Sequence, residues 1–261
     1  MVESHRSSFG FRLAVFNQAF KEQVNAQFGF FQPVKTVDPK VEEAVGQLSK
    51  LKRYIKQSEE SVRKMISGMR QTMDAQKQFA VVSKDAKIKR DDTNLKKRLS
   101  LVSDALSSNS KDIECLYLPA MENFHDWLNT FLDKAIGDAE DSVNNYNNIR
   151  TEMDTINQII SQTKERIAEE IAGSQEQRRL SLLLKEHEQT YKIKKAKYDM
   201  LVEQVIQKVE LLETKRKADM PNYIQSMYDS MRVFYNQSLK HFSESSSTTE
   251  LTIPTPSTVS Q

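Results

Sequence analysis

The chain has 261 residues, a formal net charge of +2, 28% charged residues and only six glycines and six prolines. So little punctuation excludes a many-turned sheet protein, and the lone Cys115 excludes an intrachain disulfide. No apolar run reaches the ~18 residues of a membrane span, and a near-neutral total gives no drive toward nucleic acid, so none is expected as a partner.

Residues 1–37 hold seven of the twelve phenylalanines. At 100° per residue Phe9, Leu13, Phe16, Phe20 and Val24 share one narrow stripe, with Gln18, Lys21 and Glu22 opposite. This predicts a short amphipathic helix, ended by Pro33 and the Asp38-Pro39 pair. Asp38 is then a good N-cap, with Pro39 at the first helical position and Glu42 and Glu43 in the first turn. Val41, Leu48, Ile55, Val62 and Met69 recur every seven residues, and Ala44, Leu51, Met65 and Phe79 occupy a second seam position. A helix over about 38–83 is expected.

A basic connector, residues 84–92, leads to a second helix over 93–172. One stripe runs through Leu95, Leu99, Val102, Leu106, Ile113 and Leu116, and continues beyond Pro119 as Trp127, Phe131, Tyr146, Ile149, Met153, Ile156, Ile160, Ile167 and Ile171. Pro119 lacks a backbone donor and is expected to bend the helix. A third helix runs from Gln175 to Phe242, with Tyr191, Tyr198, Val205 and Leu212 seven apart and a second bend at Pro221. Residues 243–261 contain six Ser, five Thr and two Pro and read as a disordered tail. Three segments result: an amphipathic helix and linker over 1–37, a three-helix domain over 38–242, and the tail. Rods this long have much surface for little core, so a second copy is expected to complete the seams.

No phosphate-binding glycine loop, His-Glu-x-x-His or Cys-x-x-Cys pattern occurs. Glu122 and His125 make one Glu-x-x-His, but a di-iron bundle needs a second and two more glutamates. No metal, no cofactor and no enzymatic activity are expected. Charge is segregated instead. Residues 111–154 carry ten acids against three basic residues, whereas 84–98 are net +4 and 178–197 net +5. Arg178, Arg179, Lys185, Lys192, Lys194, Lys195 and Lys197 are therefore expected to contact lipid phosphates, each basic residue contributing ~1 kcal/mol near an anionic leaflet. Phe9, Leu13, Phe16 and Phe20 are expected to insert as a wedge.

The segment Ile113-Glu-Cys-Leu-Tyr-Leu-Pro119-Ala-Met-Glu-Asn-Phe124 resembles the apolar–Pro–apolar stretch in the second helix of N-BAR proteins of the amphiphysin and endophilin type. Leu211 to Pro221, followed by Met231-Arg-Val-Phe-Tyr235, is similar to their late third helix. The resemblance covers residues 9–242. It implies an all-α fold of three long kinked antiparallel helices, a crescent-shaped homodimer or related heterodimer, and binding to anionic phospholipid membranes with sensing or generation of curvature. A cytoplasmic, peripherally membrane-associated protein of endocytosis or vesicle trafficking is the corresponding expectation. No SH3 module is expected, and Pro254-Thr255-Pro256 is not a PxxP ligand. The alternative is a coiled-coil adaptor or tether that binds a small GTPase or SNARE-like helices without bending membranes.

Overall fold

The computed structural model describes residues 36–85 and 93–243. All four proposed insertion residues, Phe9, Leu13, Phe16 and Phe20, lie outside them. Among the described residues there are only helices: α1 (Pro39–Asp85), α2 (Thr93–Asp112), α3 (Leu118–Thr130), α4 (Gly137–Glu169) and α5 (Gln175–Phe242). Two single π-helical turns, Ile113–Tyr117 and Phe131–Ile136, join α2 to α3 and α3 to α4, so residues 93–169 stay helical without interruption. The all-α class with three long helical runs is the one expected from the sequence.

The helix ends follow local chemistry. The Asp38 carboxylate accepts from the backbone N–H of Lys40 at 2.9 Å and of Val41 at 3.3 Å, capping α1. After α4, Glu170 turns extended, and Gly173 takes a φ of +80° that other residues avoid. The Gln177 side-chain carbonyl accepts from the Gly173 N–H at 2.7 Å, and the Ser174 hydroxyl caps α5 by accepting from the Gln177 N–H at 3.0 Å. Ile171, expected on the buried stripe, falls in this turn and is 80% exposed.

The described chain divides into two units. The first holds residues 36–55 and 130–216. Lys52 of α1 pairs with Glu140 of α4 at 2.6 Å, and Thr36, just before α1, donates to Asp154 further along α4, so the two helices run antiparallel. Asp138–Lys208, Glu152–Lys194 and Lys164–Glu188 pairs set α4 antiparallel to α5. The core is Val41, Leu48, Leu51 and Ile55 against Phe131, Ile136, Ile149, Ile156, Val205 and Val209. Phe131 and Ile136 are five residues apart, one more than an α-turn allows on one face. The π turn between them absorbs the extra residue and keeps both buried.

The second unit holds residues 56–85, 93–129 and 217–243. Arg70–Glu122, Lys77–Glu114 and Lys84–Asp104 pairs run α1 antiparallel to α2 and α3. Tyr117 against Phe234, Phe124 and Trp127 against Tyr223, and His241 against Asp112 do the same for α5. Here the α1 heptads slip. Met65 and Phe79 are exposed, while Ile66 and Ala80 are buried in their place. Val62 to Ile66 is a four-residue step following another, a stutter that unwinds the coil and moves the seam by one position. The α2 stripe also changes character: Leu95 and Val102 are exposed, and the buried residues of α2 are Ser103, Asn109 and Ser110. The buried Ser103 hydroxyl donates to the Ala80 carbonyl at 2.8 Å, and Asn109 bridges Gln76 and Ser238 at 3.0 and 2.5 Å.

Pro119 is the second residue of α3. A proline there leaves one carbonyl of the preceding turn without its donor, and the π turn ends just before it, with the Leu118 N–H reaching back to the Ile113 carbonyl. Pro221 lies inside α5, where the Asn222 side chain donates to the Ala218 carbonyl at 3.2 Å.

Candidate functional site: the exposed faces of α5

The acidic run of the second helix is largely neutralised by its neighbours. Glu114, Glu122, Asp138, Glu140 and Glu152 meet Lys77, Arg70, Lys208, Lys52 and Lys194 respectively, and the buried Asp154 accepts from Arg150 of its own helix at 3.3 Å. The pairs between helices lie at the surface and each contribute little to stability, but they fix which basic side chains remain available. The Glu122–His125 pair is divided: Glu122 holds Arg70, and His125 Nε2 lies 3.0 Å from the Glu59 carboxylate. No group of three or more potential metal ligands occurs among the described residues.

The seven basic residues of 178–197 separate on α5. Lys194 is committed to Glu152, and Arg179 to Glu176, which lowers the carboxyl pKa and raises that of the guanidinium through their hydrogen bonds. Lys195 is held by Asp199 and lies 5.1 Å from the Tyr198 ring centre; the hydrogen bond to Asp199, first, raises its pKa. Arg178, Lys185, Lys192 and Lys197 have no ion-pair partner among the described residues. Arg178, Lys185 and Lys192 are seven apart, which puts them on one line of the helix.

Beside that line runs an apolar stripe that the sequence reasoning missed. Leu182, Ile193, Met200 and Leu211 are 59–69% exposed. At 100° per residue they fall within about 20° of one another, opposite the buried Leu180, Tyr198, Val205 and Val209. Their steps of eleven and seven residues were the available signal. In the second unit α5 shows a different exposed set: Ile224, Tyr228, Tyr235, Leu239 and Phe242 are all exposed and, with the half-buried Met231, follow three- and four-residue steps. That is a seam pattern. Asp229 and Arg232, paired at 3.5 Å, are the only charged residues between Pro221 and Leu239.

A family model described as the Arfaptin-like domain matches residues 18–242. The chain belongs to the Arfaptin-like domain family. This is a domain of the BAR superfamily, whose members are typically non-catalytic scaffolds that dimerise and bind membranes or small GTPases. The match takes in residues 18–37 as well as the three helices. No curated protein matches the chain. No helix among the described residues is long and apolar enough to cross a membrane.

Proposed function

We propose that this Arfaptin-like chain is a dimeric, peripheral membrane scaffold that binds anionic phospholipid bilayers and senses or generates curvature in vesicle trafficking or endocytosis. The observation that carries this reading is the set of basic residues without an ion-pair partner among the described residues, Arg178, Lys185, Lys192 and Lys197, presented along one length of α5. A second copy covers the charge-poor seam Ile224–Phe242, which has the spacing and apolarity of a coiled-coil interface. Pro119 and Pro221 set the bend of the helices. Phe9, Leu13, Phe16 and Phe20 act as the inserting wedge of an N-BAR-type protein.

Co-sedimentation with phosphatidylserine-rich vesicles at physiological salt tests the reading, with sedimentation equilibrium on the same preparation. Binding by a dimer is expected; a dimer that stays in the supernatant overturns it. Phe16→Glu with Phe20→Glu should abolish vesicle tubulation and leave the dimer intact. The small-GTPase adaptor is the second reading, and the observation that favours it is the family match itself together with the charge-poor seam. A chain that is monomeric in solution and ignores vesicles would assign that seam to a different protein.

A further inference from the structure

We infer that the α5 stripe Leu182–Met200 is itself a membrane-inserting ridge, a second apolar anchor built into the helical body. The inference rests on the membrane reading above and assigns it a surface that does not depend on the phenylalanines of the N-terminal segment. Leu182, Ile193 and Met200 project from the side of α5 opposite its buried face. Over about 18 residues, at 1.5 Å per residue, they make a ridge of about 27 Å.

Charge identifies the occupant. Arg178, Lys185 and Lys192 line one flank of the ridge; on the other stand Lys197 and Arg179, the latter paired with Glu176. Glu186 is the one acid in the same sector between 178 and 200. An apolar ridge between basic rails fits a helix lying in the headgroup layer: the lysine stems follow the apolar surface while their ammonium groups reach the phosphates. A second copy of this chain docked ridge to ridge would set like-charged rails against each other, which disfavours that occupant. Past Met200 the flank turns acidic at Glu203 and Glu210, so the exposed Leu211 lies outside the proposed contact.

The test places an environment-sensitive fluorophore at Ile193→Cys in a full-length Cys115→Ser chain. Vesicles of phosphatidylserine and phosphatidylcholine are the probe. A blue-shifted emission shielded from aqueous iodide is expected when the chain sediments with them. Sedimentation without a blue shift overturns the ridge and spares the membrane reading; failure of the unlabelled native chain to sediment overturns both. Leu182→Ser, Ile193→Ser and Met200→Ser together should weaken binding roughly tenfold or more. These side chains are exposed, so the helical circular dichroism should be unchanged. Equal affinity, or a changed molecular mass without vesicles, would show that the ridge does not serve a bilayer.

Discussion

Helix α5 carries two exposed apolar stripes, and they differ in what surrounds them. In the first unit Leu182, Ile193 and Met200 stand between rails of arginine and lysine. In the second, Ile224, Tyr228, Tyr235 and Leu239 stand among neutral side chains and a single ion pair. Apolar exposure alone marks both as candidate contact surfaces. Charge separates them: a seam without charge is compatible with a copy of itself, whereas a basic-edged ridge repels its own copy and attracts an anionic surface.

The comparison breaks most visibly at the seam. Tyr228→Glu with Tyr235→Glu would bury two carboxylates in a dimer interface, so the dimer should weaken by more than about a thousandfold and the mass by sedimentation equilibrium should halve. The same change on the ridge, Ile193→Glu with Met200→Glu, should leave the mass alone. The next largest effect concerns stability of the unit that bears the ridge. Asp154 is buried with Arg150 and receives Thr36. Asp154→Ala leaves that arginine buried without its carboxylate, and chemical denaturation should show a loss of about 3–5 kcal/mol. A smaller effect separates free from committed lysines. Lys185→Gln with Lys192→Gln should reduce binding to phosphatidylserine vesicles by about thirtyfold for each protomer in contact, from ~1 kcal/mol per basic residue. Lys194→Gln, whose partner is Glu152, should do less. Equal losses would mean that total charge, not its placement, drives binding.

The frame of the molecule was legible in local patterns. The Asp38 cap, the heptads from Val41 to Val62 and the limits of α5 each follow from a few neighbouring residues. What the sequence hid depends on partners distant along the chain. Nothing near Met65 announces that Ile66 will replace it, because the stutter is defined by the surface α1 packs on. The five-residue step from Phe131 to Ile136 is visible in the chain, but only the π turn shows that both side chains stay inside. The acidic run read as a field of its own, yet five of its ten members meet a lysine or arginine 37 to 88 residues away along the chain. The same pairing ties Lys194, one of the residues expected to contact lipid, to Glu152, while the seven-residue spacing of Arg178, Lys185 and Lys192 was there to be read.

The smallest effect probes what the two units share beneath these faces, a buried tyrosine. Tyr146 lies 3.3 Å, oxygen to oxygen, from Tyr198, and burial first, then this hydrogen bond, holds its pKa well above the ordinary tyrosine value. Tyr117 in the second unit is raised by burial and, less, by Tyr235. The sign follows from proton counting. Above pH 10 the unfolded chain releases these protons while the folded chain keeps them, so the folded state binds more protons and stability falls as pH rises. Each such tyrosine should contribute a slope of roughly 1 kcal/mol per pH unit between its unfolded and folded pKa values. Tyr146→Phe should cost about 1 kcal/mol at pH 8 through the lost hydrogen bond, and should then lose less than the native chain between pH 10 and 11. Thermal melts at the three pH values read both numbers. An unchanged alkaline slope in Tyr146→Phe would place the titrating group elsewhere, and a matching reduction in Tyr117→Phe would show that the two units, unlike in their faces, respond alike in their cores.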